Sequence, residues 1–250
     1  MLHCKPTMPQ WPLLIRESRA TSNGLLLPLV CCLAMHSAQA ARPMATDDTA
    51  TAAAGECQIE VWGERVDDER SQVLAPACGL TDTLELDTAV ARIQGGSATA
   101  NSAVVGLKWV PTAAAWKSAL GTVRAGMAGG VSWDRPSGER WKAGAVYVIA
   151  LGSLEFAPAW NLYANVLTTR DLDTGKHVDG LRTALAWKPG ERVLLFVEDL
   201  RASGSRSLQN AGFRLWAIPK VLGLDVVTTR PACGGLTLNV GIGWYGIQLP

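Results

Sequence analysis

The stretch LTLNVGIGWYGIQL, residues 236–249, decides the fold class. Its large apolar side chains stand at every second position, separated by small or hydrogen-bonding residues: Leu236, Leu238, Val240, Ile242 and Trp244 alternate with Thr237, Asn239, Gly241, Gly243 and Tyr245. Successive side chains of a β-strand point to opposite faces, whereas a helix brings residues three or four apart onto one face. The stretch is therefore predicted to be a strand with one apolar face.

The same two-residue period recurs along most of the chain, in runs separated by Gly, Pro, Asp and Ser. It predicts twelve strands, with ten as the alternative count, near residues 57–65, 72–78, 82–93, 102–110, 121–133, 140–151, 159–170, 177–187, 191–201, 208–217, 221–229 and 236–248. Most runs are near the roughly 9–11 residues that a tilted strand needs to cross a bilayer. The predicted fold is all-β, a closed antiparallel up-and-down transmembrane β-barrel.

The second face of the predicted strands carries charged side chains, which suits a barrel lumen. The lumen-lining candidates are Glu60, Glu85, Asp87, Lys108, Arg124, Lys142, Arg182, Arg214 and Asp225. Tryptophans near predicted strand ends fit the aromatic girdles of a membrane barrel: Trp109, Trp133, Trp141, Trp160, Trp187 and Trp216. A soluble periplasmic β-sandwich or small-ligand-binding barrel is the competing interpretation, because its strands alternate as well.

The connectors between the predicted strands fall into two classes. Alternate ones are polar, such as residues 134–139 and 171–176, and are predicted to face outside. The others include tight turns at residues 188–191 and 217–220, which suit the periplasmic side. The connector at residues 111–120 is long for a periplasmic turn.

The first forty residues have the features of a secretory signal peptide. Basic residues precede the apolar run GLLLPLVCCLA at residues 24–34, and Ala38 and Ala40 give a small-x-small cleavage pattern. The run is too short for a spanning helix, which needs roughly 20 residues. Residues 1–40 are predicted to be removed near Ala40, residues 41–56 to form a flexible, small and polar N-terminal segment, and residues 57–250 to form the barrel.

The charge balance argues against nucleic acid as a partner, and the cysteine content bears on disulfide formation after export. Residues 41–250 carry 20 Lys and Arg against 21 Asp and Glu, so no basic field exists to hold nucleic acid. Three cysteines follow the signal, in an oxidising compartment. Cys57 and Cys78 lie at the same end of neighbouring predicted strands and either form a disulfide or stay reduced, while Cys233 is left free.

Three stretches carry a resemblance to a known class of proteins. CQIEVWGE at residues 57–64, PACGLTDTLELDTAVARI at residues 76–93 and the final LTLNVGIGWYGIQL resemble the opening and closing strands of small uncharacterised bacterial outer-membrane β-barrel proteins. The resemblance covers roughly residues 56–250 and rests on signal, strand repeat and terminal strand. It implies a location in the bacterial outer membrane, contact with outer-membrane lipid and insertion by the barrel-assembly machinery.

Two interpretations of function follow from the predicted lumen residues. Acids dominate the first strands and bases the next, so the groups either pair and fill a narrow interior or form a polar pore with a positive wall. The predicted function is structural or a narrow channel for small solutes, in a monomer. No catalytic residues, cofactor or metal site is identified.

An outer-membrane lipid-modifying hydrolase is a third interpretation, based on one residue. His177 is the single histidine after residue 40 and stands at the edge of a predicted loop. It would act as a general base for a serine within hydrogen-bond reach. Serines occur in a neighbouring loop at Ser203, Ser205 and Ser207, but no sequence feature brings one to His177.

Overall fold

The computed structural model describes residues 44–66, 69–95, 98–157, 159–205, 207–231 and 236–248. Within these ranges the chain is almost entirely β-strand, with one turn of 3-10 helix at Thr112–Ala114. The strands are β1 Glu56–Val66, β2 Glu69–Thr81, β3 Leu84–Gly95, β4 Ala98–Trp109, β5 Ala115–Ser118, β6 Gly121–Pro136, β7 Lys142–Ala157, β8 Trp160–Asp171, β9 His177–Trp187, β10 Val193–Ala202, β11 Leu208–Ile218, β12 Leu222–Pro231 and β13 Thr237–Gln248.

Twelve of these strands form one closed antiparallel sheet. Each pairs with its neighbours in chain order, β4 pairs directly with β6, and β1 pairs with β13, where Trp62 lies opposite Gly241. The prediction of a closed twelve-stranded up-and-down barrel is confirmed, and the sandwich of two packed sheets is not what the chain forms. We call the end where β1 begins and β13 ends the terminal end, and the opposite end the loop end.

The short strand β5 explains the long connector at residues 111–120. Ala115 lies opposite Arg124 and Ser118 opposite Gly121, so β5 forms a hairpin with the first residues of β6. Strand β4 pairs with β6 only from Met127 onward. The connector therefore extends the wall at the terminal end by a short hairpin.

Large apolar side chains cover the outside of the barrel, and polar ones point inward. In β13, Leu238 is 54 % exposed and Val240 is 52 % exposed, whereas Thr237 and Asn239, which alternate with them, are buried. A soluble core would reverse this arrangement, because apolar surface is stabilised by removal from water. No helix in the described part of the chain is long and apolar enough to cross a membrane.

Aromatic side chains gather at the terminal end of the wall. Trp160 stacks on Trp187 with ring centroids 5.7 Å apart, and Phe156 stacks on Trp160 at 6.5 Å. Both tryptophans are exposed, as is Trp109 at the end of β4, which fits the predicted girdle. Trp216 differs, because it borders the cavity inside the barrel.

Candidate functional site

Seven of the nine predicted lumen residues lie inside the barrel. Each of the seven is almost fully buried, and together they come from β1, β3, β4, β9, β11 and β12: Glu60, Glu85, Asp87, Lys108, Arg182, Arg214 and Asp225. The strand period fixed their direction, since residues two apart share a face of the sheet. The structure therefore brings together charged groups that are as much as 165 residues apart in the chain.

The other two predicted lumen residues, Arg124 and Lys142, are exposed. Arg124 lies near the start of β6, where its partner strand is the short β5. Lys142 begins β7 and forms an exposed ion pair with Glu139, 2.6 Å between Nζ and Oε2. Strand β7 is apolar on both faces, so alternation alone did not identify its inner face, where Tyr147 is buried.

Residues 44–55, which we call the inner segment, lead from the barrel interior to its terminal end; Met44 to Asp47 and Thr49 are buried, whereas residues 53–55 are exposed. This segment runs ahead of β1, and Ala54 forms a parallel bridge with Gly79 at the terminal end. The small, polar composition of residues 41–56 predicted a flexible segment, whereas contacts with the wall give residues 44–55 a defined position. Asp47 is only 1 % exposed.

Backbone groups of the inner segment bond to polar side chains of the wall. The amide groups of Ala45 and Thr46 donate to the Glu198 carboxylate at 3.0 and 2.6 Å. Arg182 donates from Nη1 to the Ala45 carbonyl oxygen at 3.0 Å. Closer to the terminal end, the amide of Ala52 donates to Glu85 Oε2 at 2.6 Å. Polar wall side chains thus replace the strand partners that this stretch lacks.

Asp47 anchors the middle of the inner segment. Its backbone amide donates to Asn165 Oδ1 at 2.7 Å, and Asn165 Nδ2 donates back to the Asp47 carbonyl oxygen at 3.0 Å. Its carboxylate receives Lys108 Nζ at 2.8 Å. Burial raises the pKa of the Asp47 carboxyl to about 7, because desolvation outweighs the attraction of Lys108.

Thr49 gives a further contact between the inner segment and the wall. Its hydroxyl oxygen lies 2.5 Å from that of Ser153 on β7. Each anchoring side chain comes from a different part of the wall, so the segment crosses the lumen rather than following one strand.

A second polar cluster lies around Arg214. Its guanidinium donates from Nε and Nη2 to Asp225 at 2.7 Å each, and from Nη2 to Glu60 at 3.0 Å. Tyr245 donates a hydrogen bond to Glu60, and its ring lies 4.9 Å from the Arg214 guanidinium carbon. Gly223 leaves room for this arginine, since a Cβ there would come within 2.9 Å of its side chain.

Apolar side chains fill other parts of the interior. One cluster includes Tyr147, Ile149 and Leu167, and another joins Met44 of the inner segment to Phe196 and neighbouring residues of the wall. The described lumen is therefore a partly filled interior rather than a wide aqueous pore.

A cavity of about 390 Å³ remains between the inner segment, the Arg214 cluster and the turns of the terminal end, and we call it the terminal chamber. Charged residues from the contacts around Asp47 and from the Arg214 cluster border the chamber, together with apolar residues from β8 and β10. Its lining includes Met44, Asp47, Glu85, Asp87, Lys108, Tyr163, Leu194 and Arg214.

The two cysteines of the first hairpin, Cys57 and Cys78, lie opposite each other on β1 and β2 and are joined by a disulfide, with sulfurs 2.09 Å apart. Cys233, expected to be free, lies outside the described residues.

His177 begins β9 at the loop end and is exposed. Among the described residues it has no hydrogen bond to a serine, and Ser203 instead accepts one from the Asp179 amide at 3.1 Å. Within the same ranges, no group of three or more His, Cys, Asp or Glu residues is placed to hold a metal ion.

Comparison with solved structures gives matches along most of the chain. A structure described as KdgM porin aligns with a TM-score of 0.58 and 12 % identity, over 75 % of this chain and 98 % of that one. The chain has the barrel fold of bacterial outer-membrane porins. NanC porin aligns with a TM-score of 0.50 and 6 % identity, over 75 % and 98 % of the two chains.

A second KdgM porin structure, in complex with disordered oligogalacturonate, aligns with a TM-score of 0.56 and 11 % identity, over 75 % and 98 % of the chains. No protein-family model matches the sequence, and no curated protein matches it. At these identities the likeness to the porins establishes the fold.

Proposed function

We propose that this chain is an exported outer-membrane barrel that forms a narrow passage for small solutes, closed in the described state by its own inner segment. The observation that carries the proposal is a closed barrel with an apolar outside and a charged inside, crossed by residues 44–55. A purely structural barrel is the remaining alternative.

The location follows from the same distribution of side chains. An exposed apolar wall suits lipid, and closure leaves no sheet edge whose hydrogen bonds lipid could not satisfy. The proposal includes a monomer inserted by the barrel-assembly machinery and removal of the signal near Ala40. Amino-terminal sequencing of the protein from outer membranes is expected to start at Ala41.

The solute class differs from that of the KdgM porin complex. Oligogalacturonate is a chain of carboxylate-bearing sugars, and it is bound by that protein. In the described residues here, buried acids outnumber buried bases by seven to three, the acids being Asp47, Glu60, Glu85, Asp87, Asp171, Glu198 and Asp225 and the bases Lys108, Arg182 and Arg214. A negatively charged interior favours neutral or cationic solutes over polyanions.

The passage can be tested by locking the inner segment to the wall. The Thr49 and Ser153 oxygens are 2.5 Å apart, so Thr49→Cys with Ser153→Cys would bring two sulfurs within bonding reach. Cys233→Ser prevents mispairing and serves as the parent. We expect channel openings of the parent in planar bilayers to disappear in the oxidised double variant and to return with reductant.

Each single-cysteine variant and the reduced parent are the controls, because reductant also cleaves the Cys57–Cys78 bridge. Openings that persist at the parental rate in the fully cross-linked protein would show that the segment is no gate. A parent that never conducts would leave the structural alternative.

A further inference from the structure

Three exposed arginines lie close together on the outside of the wall, near the loop end. Arg92 on β3 lies opposite Asn101 on β4, and Asn101 lies opposite Arg135 on β6, so these residues form one row across adjacent strands. Arg70 on β2 is two residues from Gln72, the partner of Arg92, and is therefore a diagonal neighbour at roughly 7–8 Å between Cα atoms. We call Arg70, Arg92 and Arg135 the arginine patch.

The two-residue period places the arginine patch on the same face as the apolar side chains of the outer wall. Val90 is two residues from Arg92 and is exposed, as is Leu74, which lies opposite Val90 on β2. Ile93, next to Arg92 in the chain, is buried inside the barrel. Because successive side chains of a strand point to opposite faces, Arg92 points outward, toward lipid in the proposed location.

The arginine patch is not neutralised by acids of the described residues. Within those ranges Arg70 and Arg92 form no ion pair. The guanidinium carbon of Arg135 lies over the ring of Trp141, 5.1 Å from its centroid. By contrast, Arg201 on β10 has its own acid, with Nε 2.5 Å from Asp199 Oδ2. The patch is therefore a concentration of positive charge that is available to an external anion.

The position of the arginine patch along the strands is that expected for contact with lipid headgroups. Strand β2 begins at Glu69, β3 ends at Gly95 and β6 ends at Pro136, so each arginine is within roughly 10 Å of the loop end of its strand. Charged side chains on the lipid face cost little near the interface. Tryptophan is enriched at the same depth, where Trp141 lies. With the terminal end toward the periplasm, as its tight turns indicate, the patch meets the outer leaflet.

A shallow groove of about 680 Å³ on the outer wall adjoins the arginine patch. Arg92, Arg135 and Trp141 border the groove on the side of the loop end. Exposed apolar side chains of β1, β2, β3 and β13 border it toward the middle of the wall: Val61, Leu74, Val90, Val240 and Ile242. Guanidinium groups at one side and apolar groups at the other suit a molecule with an anionic head and hydrocarbon chains.

We propose that the arginine patch and this groove bind a phosphorylated lipid of the outer leaflet. Two strand spacings, roughly 10 Å, separate Arg92 from Arg135, so both long side chains can donate to one phosphate. Guanidinium suits phosphate because its N–H donors pair with two oxygens at once, and Arg70 adds positive charge beside them. The acyl chains lie along Leu74 and Val90. The inference rests on the outer-membrane location in the proposed function and does not require conduction.

Lipid binding to the purified protein in a non-ionic detergent tests the proposal. The probe is radiolabelled dioleoyl phosphatidic acid, and dioleoyl glycerol has the same acyl chains without the phosphate. We expect saturable binding of phosphatidic acid, with dioleoyl glycerol at least about tenfold weaker as a competitor. Inorganic phosphate at the same concentration as the lipid should not compete, because it has no chains for the groove. Competition by inorganic phosphate as strong as by unlabelled phosphatidic acid would make the patch a free-anion site and overturn the proposal.

Arg92→Gln is expected to weaken phosphatidic acid binding about tenfold, since it removes a charged donor to phosphate. Arg201→Gln is the matched control, because Arg201 is also an exposed arginine near the loop end but is paired with Asp199. No saturable binding, equal binding of dioleoyl glycerol, or an equal loss in the two variants would overturn the site. If Arg92→Gln fails to fold, the comparison of the three probes on the native chain still decides.

The outcome is separable from that of the proposed passage. A protein that conducts without binding phosphatidic acid loses only this lipid site. A protein that binds phosphatidic acid through Arg92 without conducting loses only the passage.

Discussion

At the scale of single residues, Asp47 carries the most information about the closed state. It joins the inner segment to β4 through Lys108 and to β8 through Asn165. The sequence pattern held no sign of this role, since ATDDTATAAAG has the composition of an unstructured lead-in. Polar groups on strands distant in the chain hold Asp47 in place, and the spacing of residues along the chain does not reveal that placement.

The raised pKa of Asp47 predicts that closure depends on pH. Inside the lumen the pKa is about 7, and the ordinary value of 3.8 returns once the segment leaves. The closed state therefore binds the proton more tightly, so closure strengthens as pH falls from about 7 toward 4 and weakens as pH rises through 7. Lys108, Asp48 and Glu85 face this carboxyl, and burial dominates their combined effect.

We expect the ratio of open to closed time in planar bilayers to be at least about tenfold higher at pH 8 than at pH 5. Asp47→Asn removes the titrating group and should flatten the profile between those pH values. An unchanged profile in Asp47→Asn would assign the pH dependence to another group.

At the scale of strands, the sequence predicted most of what the structure contains. Eleven of the twelve predicted runs match wall strands to within about four residues at each end, because most carry a clear two-residue period; the run at residues 140–151 ends well before β7 does, at Ala157. The inward face of β7 could not be predicted from the sequence, because Val146, Val148 and Ala150 on one face are as apolar as Tyr147 and Ile149 on the other. Strand β5 was missed because four residues are too few to show a period.

The outward face of β8 gives a test of lipid contact. Val166 lies in the middle of that strand and is 62 % exposed. In a soluble protein, exposed Val→Arg changes stability by roughly 0.5 kcal/mol or less. Facing lipid, Val166→Arg should lower the free energy of unfolding by about 2–4 kcal/mol in vesicles. Val166→Leu is the size control, and a near-zero effect of the arginine would place this face in water.

The first hairpin gives a second test at this scale. With Cys57 and Cys78 bridged, the unfolded, unreduced chain without residues 1–40 should show one free thiol, from Cys233, and three after reduction. The bridge closes a loop with a sequence separation of 21 residues, so its loss should lower stability by about 3 kcal/mol. Three thiols before reduction would contradict the bridge.

For the whole molecule, closure of the sheet into a barrel and the placement of apolar side chains outside and charged side chains inside are linked. Pairing of β1 with β13 leaves no open sheet edge in the wall, so the barrel can expose an apolar exterior and keep its charges inside. Function was less accessible from sequence than fold. Seven of the nine lumen candidates are buried inside the barrel and two are exposed near strand ends, but the excess of acids and the inner segment depend on three-dimensional packing.

The most direct test of the outer-membrane barrel is membrane fractionation of the expressed protein, with gel mobility compared before and after boiling in detergent. A folded barrel predicts a band in the outer-membrane fraction that migrates differently when unheated, because closed barrels resist detergent until heated. A soluble periplasmic protein whose mobility does not change with heating would contradict the account.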